Sequence, residues 1–153
     1  MTSVQDALTI AREDSNTVAE GFWLLEVARI ERAMGQSADA LISYQRSASI
    51  QRQLGDRSRE AMALDGTGEA YREIGVPGEA AKFHRLAVAT HRELGARWHL
   101  STALANLAAA LRETGNSDQA RQHWEEASSI LAEFDDPKAT RMRNQLDEIL
   151  ASM

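Results

Sequence analysis

From Leu64 to Leu94 the chain carries apolar and small residues at helical spacing on either side of one break, Gly75-Val76-Pro77. The pattern predicts a helix, a tight turn and a second helix folded back on the first. The same pattern returns at a step of 40 residues. Gly35, Gly75 and Gly115 keep that step, as do Ala40, Ala80 and Ala120, Leu24, Leu64 and Leu104, and Arg32, Arg72 and Arg112. Leu54-Gly55 recurs as Leu94-Gly95, with Phe134-Asp135 in the next place, and an aromatic slot reads Tyr44, His84, Trp124. The glycine column suits a helix end, where a left-handed residue avoids a Cβ clash. The alanine column suits the closest approach of two helices, and the leucine and aromatic columns supply buried apolar area.

Taken in order, the elements form one all-α domain over 1–153. Residues 2–14 align with the second helix of a hairpin, Ala7 falling in the column of Ser47, Ala87 and Ala127. The chain therefore begins partway through a repeat, either as a piece of a longer array or with a native cap; the first is the preferred reading. Repeats follow over 17–54, 57–94 and 97–133. Thr17 with Glu20 is spaced as a capping box, and Asn116 with Gln119 likewise, with Ser117 as an alternative cap. Asp56 or Ser58 caps the helix after Gly55. Of the adjacent Phe22 and Trp23, Trp23 is expected on the preceding half-repeat and Phe22 toward the inner face. Asp136-Pro137 opens a last helix, 137–151, with Met142, Leu146, Ile149 and Leu150 in one apolar stripe. It departs from the columns and reads as a capping helix for the exposed stacking face of the last repeat.

Composition narrows the class. Apolar residues make up 43% and aromatics 5%, so the core must be mostly aliphatic, and two prolines leave the helices uninterrupted. With no cysteine there is neither a disulfide nor a thiolate metal site. No run approaches the roughly 20 apolar residues of a membrane span, and no secretory signal opens the chain. The expected location is cytoplasmic. A net charge of −6 argues against direct nucleic-acid binding.

Catalytic chemistry finds no footing. His84 and His91 share a helix face at a spacing of roughly 10 Å, too far for one zinc ion. His84 stands in the aromatic slot, which points to packing. Gly66-Thr67-Gly68 is GxG inside a predicted helix and lacks the strand of a dinucleotide fingerprint. No serine or threonine has a nucleophile signature. The reading is of a non-enzyme with no metal and no cofactor.

The columns resemble the tetratricopeptide repeat, whose pattern is W-x2-L-G-x2-Y…A-x3-F…P at a period of about 34. Here Leu64-x2-Thr67-Gly68-x2-Tyr71 is followed by Ala80-x3-His84, and Leu104-x2-Leu107-Ala108-x2-Leu111 by Ala120-x3-Trp124. The leading Trp is Leu throughout, the closing Pro is missing, and the period is longer. That variant is similar to the 40-residue repeats of scaffold proteins that orient cell division. It is also similar to arrays in large actinobacterial transcription regulators. The resemblance implies a right-handed superhelical solenoid of antiparallel hairpins: three full repeats, an N-terminal half-repeat and a capping helix.

It also implies a concave face lined by the first helix of each repeat. By column that face includes Phe22, Leu25, Arg29 and Arg32; Met62, Asp65, Glu69 and Arg72; and Thr102, Ala105, Asn106, Ala109 and Arg112. Related repeats grip a peptide backbone with an inner asparagine; only Asn106 keeps it, Glu26 and Gly66 standing elsewhere. Arg32, Arg72 and Arg112 would form a ladder that an acidic peptide could pair with, unless each is paired within its own helix, as Arg72 with Glu69. The resulting expectation is a non-catalytic module that binds a protein or peptide on its concave face, as part of a bacterial transcription regulator. The alternative is a self-associating structural module, a homo-oligomer formed through an uncovered stacking face. A small-ligand sensor or enzyme is the remote third.

Overall fold

The computed structural model describes residues 2–153. Eight helices follow one another: α1 (Thr2–Glu13), α2 (Thr17–Ala33), α3 (Ser37–Leu54), α4 (Arg57–Ile74), α5 (Pro77–Leu94), α6 (Arg97–Glu113), α7 (Ser117–Leu131) and α8 (Pro137–Ala151). No strand occurs among the described residues. Each helix packs on its neighbours in the chain, and in addition α2 packs on α4 and α4 on α6. The second helices α3, α5 and α7 lack comparable contact with one another. The row is therefore tighter along its first helices and open along its second, which makes the first-helix side concave.

The columns explain this packing. Ala40, Ala80 and Ala120 are each 0% exposed, so a hairpin closes to the distance that a methyl group sets. Leu24, Leu64 and Leu104 are buried beside them, and the aromatic slot of Tyr44, His84 and Trp124 is buried in every repeat. The turn glycines all adopt positive φ, from 66° at Gly95 to 94° at Gly75. Ser15 occupies the column of Gly55 and Gly95 and takes the same left-handed conformation at φ 53°. The turn thus demands the conformation even where the residue resists it. In the next turn Asp135 stands in the column, no left-handed residue forms, and α7 stops at Leu131 with Phe134 turned edge-on to Trp98 at 5.2 Å.

Helix ends correct two of the expected caps. Asn16, not Thr17, caps α2, its side chain accepting from the Ala19 N–H. Asn116 precedes α7 without a side-chain cap, and its amide N–H donates to Thr114 Oγ1. Asp56 and Asp136 cap α4 and α8 by accepting from Arg59 and Ala139 N–H groups. At the N-terminal end Trp23 packs with Leu8, Leu24 and Val27, as expected of it. At the other end α8 buries Ala139 and Leu146 against repeat 3 and covers its stacking face.

Two glycines inside α4 have a different task. A Cβ on Gly66 would lie 2.3 Å from the Tyr44 ring, and one on Gly68 would lie 2.6 Å from His84. These are notches that let the aromatic slots of two hairpins, Tyr44 of α3 and His84 of α5, press against α4 from either side. The structure predicts opposite outcomes for two substitutions. Ser15→Gly should raise stability by up to about 1 kcal/mol by relieving the left-handed strain. Gly66→Ala should lower it by about 1–2 kcal/mol net, since overpacking costs more than the helix gains. Denaturant melts of both variants check this, and equal signs would contradict it.

Candidate functional site

The concave face is built from one side of α2, α4 and α6. Its centre is a hollow of about 160 Å³ bordered by Arg29, Arg32, Met62, Asp65, Glu69 and Thr102. Tyr44, Gly66, His91 and His99 complete it. Gly66 stands on its rim, where the other two first helices have Glu26 and Asn106, and the Tyr44 ring fills the space its side chain would take. A second hollow of about 150 Å³ lies where α6 meets α8, bordered by Thr102, Ala105, Asn106, Met142 and Leu146 among others.

A polar network holds the walls. Asp65 Oδ1 lies 2.6 Å from His84 Nδ1. The Asn106 amide donates to Asp65 Oδ2 at 3.0 Å and to Glu69 Oε1 at 3.2 Å. Arg32 pairs with Glu69 and donates through Nε to Glu73 at 2.7 Å. Burial opposes the Arg32 charge, but Glu69, Glu73 and Tyr44 more than offset it and hold the guanidinium charged. Burial likewise raises Glu69 above the usual carboxylate range, Arg32 opposes that shift, and Asp65 adds to it. His91 is fully buried, stacks on His99 at 5.2 Å, and is pushed below the ordinary imidazole range by burial and by His99.

The residues expected on this face meet different fates. Arg29, Arg32, Met62, Asp65, Glu69 and Thr102 converge on the central hollow. Phe22 sits apart, edge-on to Trp23 at 4.9 Å and under the Arg59 guanidinium at 5.8 Å. Leu25 is core, only 2% exposed. Asn106 spends its amide N–H groups on Asp65 and Glu69, which takes its donor side out of any grip on a peptide. Arg32, Arg72 and Arg112 do not form an open ladder. Arg72 donates to Glu113 at 2.9 Å, as Arg32 does to Glu73, both across 41 residues into the next repeat. Glu69 is paired with Arg32 rather than with Arg72 of its own helix. Arg112 lies over the Trp124 ring at 5.0 Å.

These ion pairs follow the repeat themselves. Arg57–Glu93 and Arg97–Glu133 recur across 36 residues, and Arg12–Glu20 and Arg52–Glu60 across 8. Sequence reasoning passed over Tyr44, His91 and His99 as parts of the hollow. A signal existed in the columns: Asp65 replaces Leu25 and Ala105, and His91 replaces Leu131 and Ala11. Polar residues at buried columns of one repeat mark where neighbouring repeats exchange polar contacts. Among the described residues no group of three or more His, Cys, Asp or Glu is placed to hold a metal ion. No helix among them is long and apolar enough to cross a membrane.

A row of stacked hairpins with a hollow on its inner side defines a helical-repeat solenoid. Residues 21–93 match the family model described as Tetratricopeptide repeat. Over these residues the chain carries the tetratricopeptide-repeat pattern. Solved structures agree in fold. BtubC from P. vanneervenii matches with a TM-score of 0.87 at 15% identity, over 97% of this chain and 61% of its own. The type III secretion translocator chaperone SycD of Yersinia enterocolitica matches at 0.74 and 14% identity, over 94% and 97%. The TPR domain of Arabidopsis FLU matches at 0.73 and 17%, over 77% and 99%. Comparison with curated protein sequences finds no match.

Two predictions follow from the network. Arg72 and Glu113 are each more than a third exposed, so Arg72→Ala should cost at most about 1 kcal/mol. Arg32→Ala strands the half-buried Glu69 beside Asp65 and should cost clearly more; equal costs by denaturant melts would contradict the assignment. The second concerns pH. A histidine held below its unfolded value, 6.5 here, binds fewer protons folded than unfolded. Stability tied to His91 is therefore present above that value and falls as the pH drops toward the lower folded one. The raised Glu69 works in the opposite sense, gaining stability as the pH falls through its own window, which starts from 4.5. His91→Leu should lose less stability than the native chain on moving from pH 7.5 to 5.5, both values approximate and chosen to bracket the imidazole window. An equal loss would contradict it.

Proposed function

We propose that the chain is a non-catalytic module that binds a segment of another protein across its concave face, centred on the hollow between α2, α4 and α6. The family and fold support the general role: tetratricopeptide repeats are protein-interaction modules and are generally non-catalytic. The observation that carries the finer reading is the hollow itself. The chain forms an inner wall of first helices and leaves an opening in it, lined by six of the residues expected there by column. Extended peptides recognised by grooves are held by a few side-chain pockets along the wall, and this hollow has the scale of one such pocket. The longer repeat period further favours a place within a bacterial regulator that relays a signal through contact.

The test is a peptide selection against the full chain, followed by calorimetry of the winners. Thr102→Arg, which sends a long side chain into the hollow, should weaken selected peptides by about tenfold or more. Leu86→Glu, on the outer side of α5, should leave them unchanged, with circular dichroism confirming that both variants fold. Peptides lost with Leu86→Glu and kept with Thr102→Arg would place binding on the other face.

A further inference from the structure

The central hollow carries more negative charge than its cations neutralise. Asp65 and Glu69 border it together with Arg29 and Arg32, and each of these arginines is paired with a carboxylate outside the lining, Glu26 and Glu73, which leaves the charge of Asp65 and Glu69 in surplus. The carboxylates also keep acceptor capacity. Each oxygen of Asp65 and Glu69 has one partner in the network, from His84, Asn106 and Arg32. An ionised carboxylate offers about four acceptor sites.

A second observation points to a guest independently. His91 borders the hollow, is 1% exposed, and its Nδ1 has no hydrogen-bond partner in the protein. Buried polar groups are paired as a rule, and an exception calls for a reason. A donor entering the hollow would supply the missing pair. Size limits that donor. About 160 Å³ corresponds to roughly five water volumes, enough for the head and last methylenes of one long side chain. Met62 and the Tyr44 ring offer apolar wall for such a stem.

We propose that this hollow receives the ammonium group of a lysine side chain in the bound segment. The ammonium is a compact charge with three donors, which suits carboxylate oxygens and a ring nitrogen converging on a small volume better than a planar guanidinium does. This inference rests on the concave face being the binding face. It reverses the guest implied by the arginine column, because Arg32 and Arg72 are already paired and Arg112 stacks on Trp124, while Asp65 and Glu69 keep acceptor capacity.

The experiment uses the full chain labelled at its methionine methyl groups, with the Met62 signal assigned by its loss in Met62→Leu. N-acetyl-lysine methylamide, N-acetyl-norleucine methylamide and N-acetyl-glutamate methylamide are titrated in turn. The lysine probe should shift Met62 along a saturating curve, and the norleucine and glutamate probes should not. Asp65→Asn should weaken the lysine response by about tenfold, with the other methionine signals in place to show a kept fold. Glu69→Gln serves as the second variant if Asp65→Asn unfolds. A saturating glutamate response, or no lysine response up to the solubility of the probe, overturns the proposal. Selected peptides that need Thr102 but contain no lysine overturn it too, and leave the concave-face reading standing.

Discussion

The structure depends on the burial of each hairpin's apolar side by the next hairpin. Burying apolar surface is worth roughly 25 cal/mol per Å², and a hairpin of two helices has too little surface of its own to use against itself. Ala40, Ala80 and Ala120 let the two helices of a hairpin close, and the leucines beside them then face outward onto a neighbour. Stability in such a row is a sum of modest units and the interfaces between them. The ends need separate treatment. α1 covers one face with Leu8 and its contacts to Trp23, and α8 covers the other with Ala139 and Leu146.

Ion pairs repeat along the same row, but their energetic weight differs. Most are exposed and contribute little each. The pair of Arg32 with Glu69 and Glu73 is more enclosed and joins repeat 1 to repeat 2 across the floor of the concave side. The middle repeat is accordingly the most polar inside, with Asp65, Thr67, His84 and His91 all buried. Buried polar groups do not add stability by themselves. Here two of them, Asp65 and His91, line the central hollow, so polarity and open volume occur together.

Much of the fold was legible in the chain because its cause is periodic. A column of alanine or leucine at a step of 40 states a contact that every repeat must make, and the structure buries each of those residues. What escaped reading depends on single positions or on distances across repeats. Ser15 adopts a glycine's conformation because the turn around it is imposed from both sides. Asn16 takes the cap because α2 starts at Thr17, which leaves Asn16 three residues before the unpaired Ala19 N–H. The arginine column was visible, yet its partners lie 41 residues on and become neighbours only after stacking. The stacking of His91 on His99 joins two helices across a turn, which no helical spacing encodes.

The central claim is that a hairpin holds its shape only beside another. Residues 57–94, excised as a peptide of the middle hairpin, put it to the most direct test by circular dichroism during a thermal scan. The peptide should show weak helicity and no cooperative transition, even though the same residues are helical in the chain. A monomeric peptide that melts cooperatively would contradict the account.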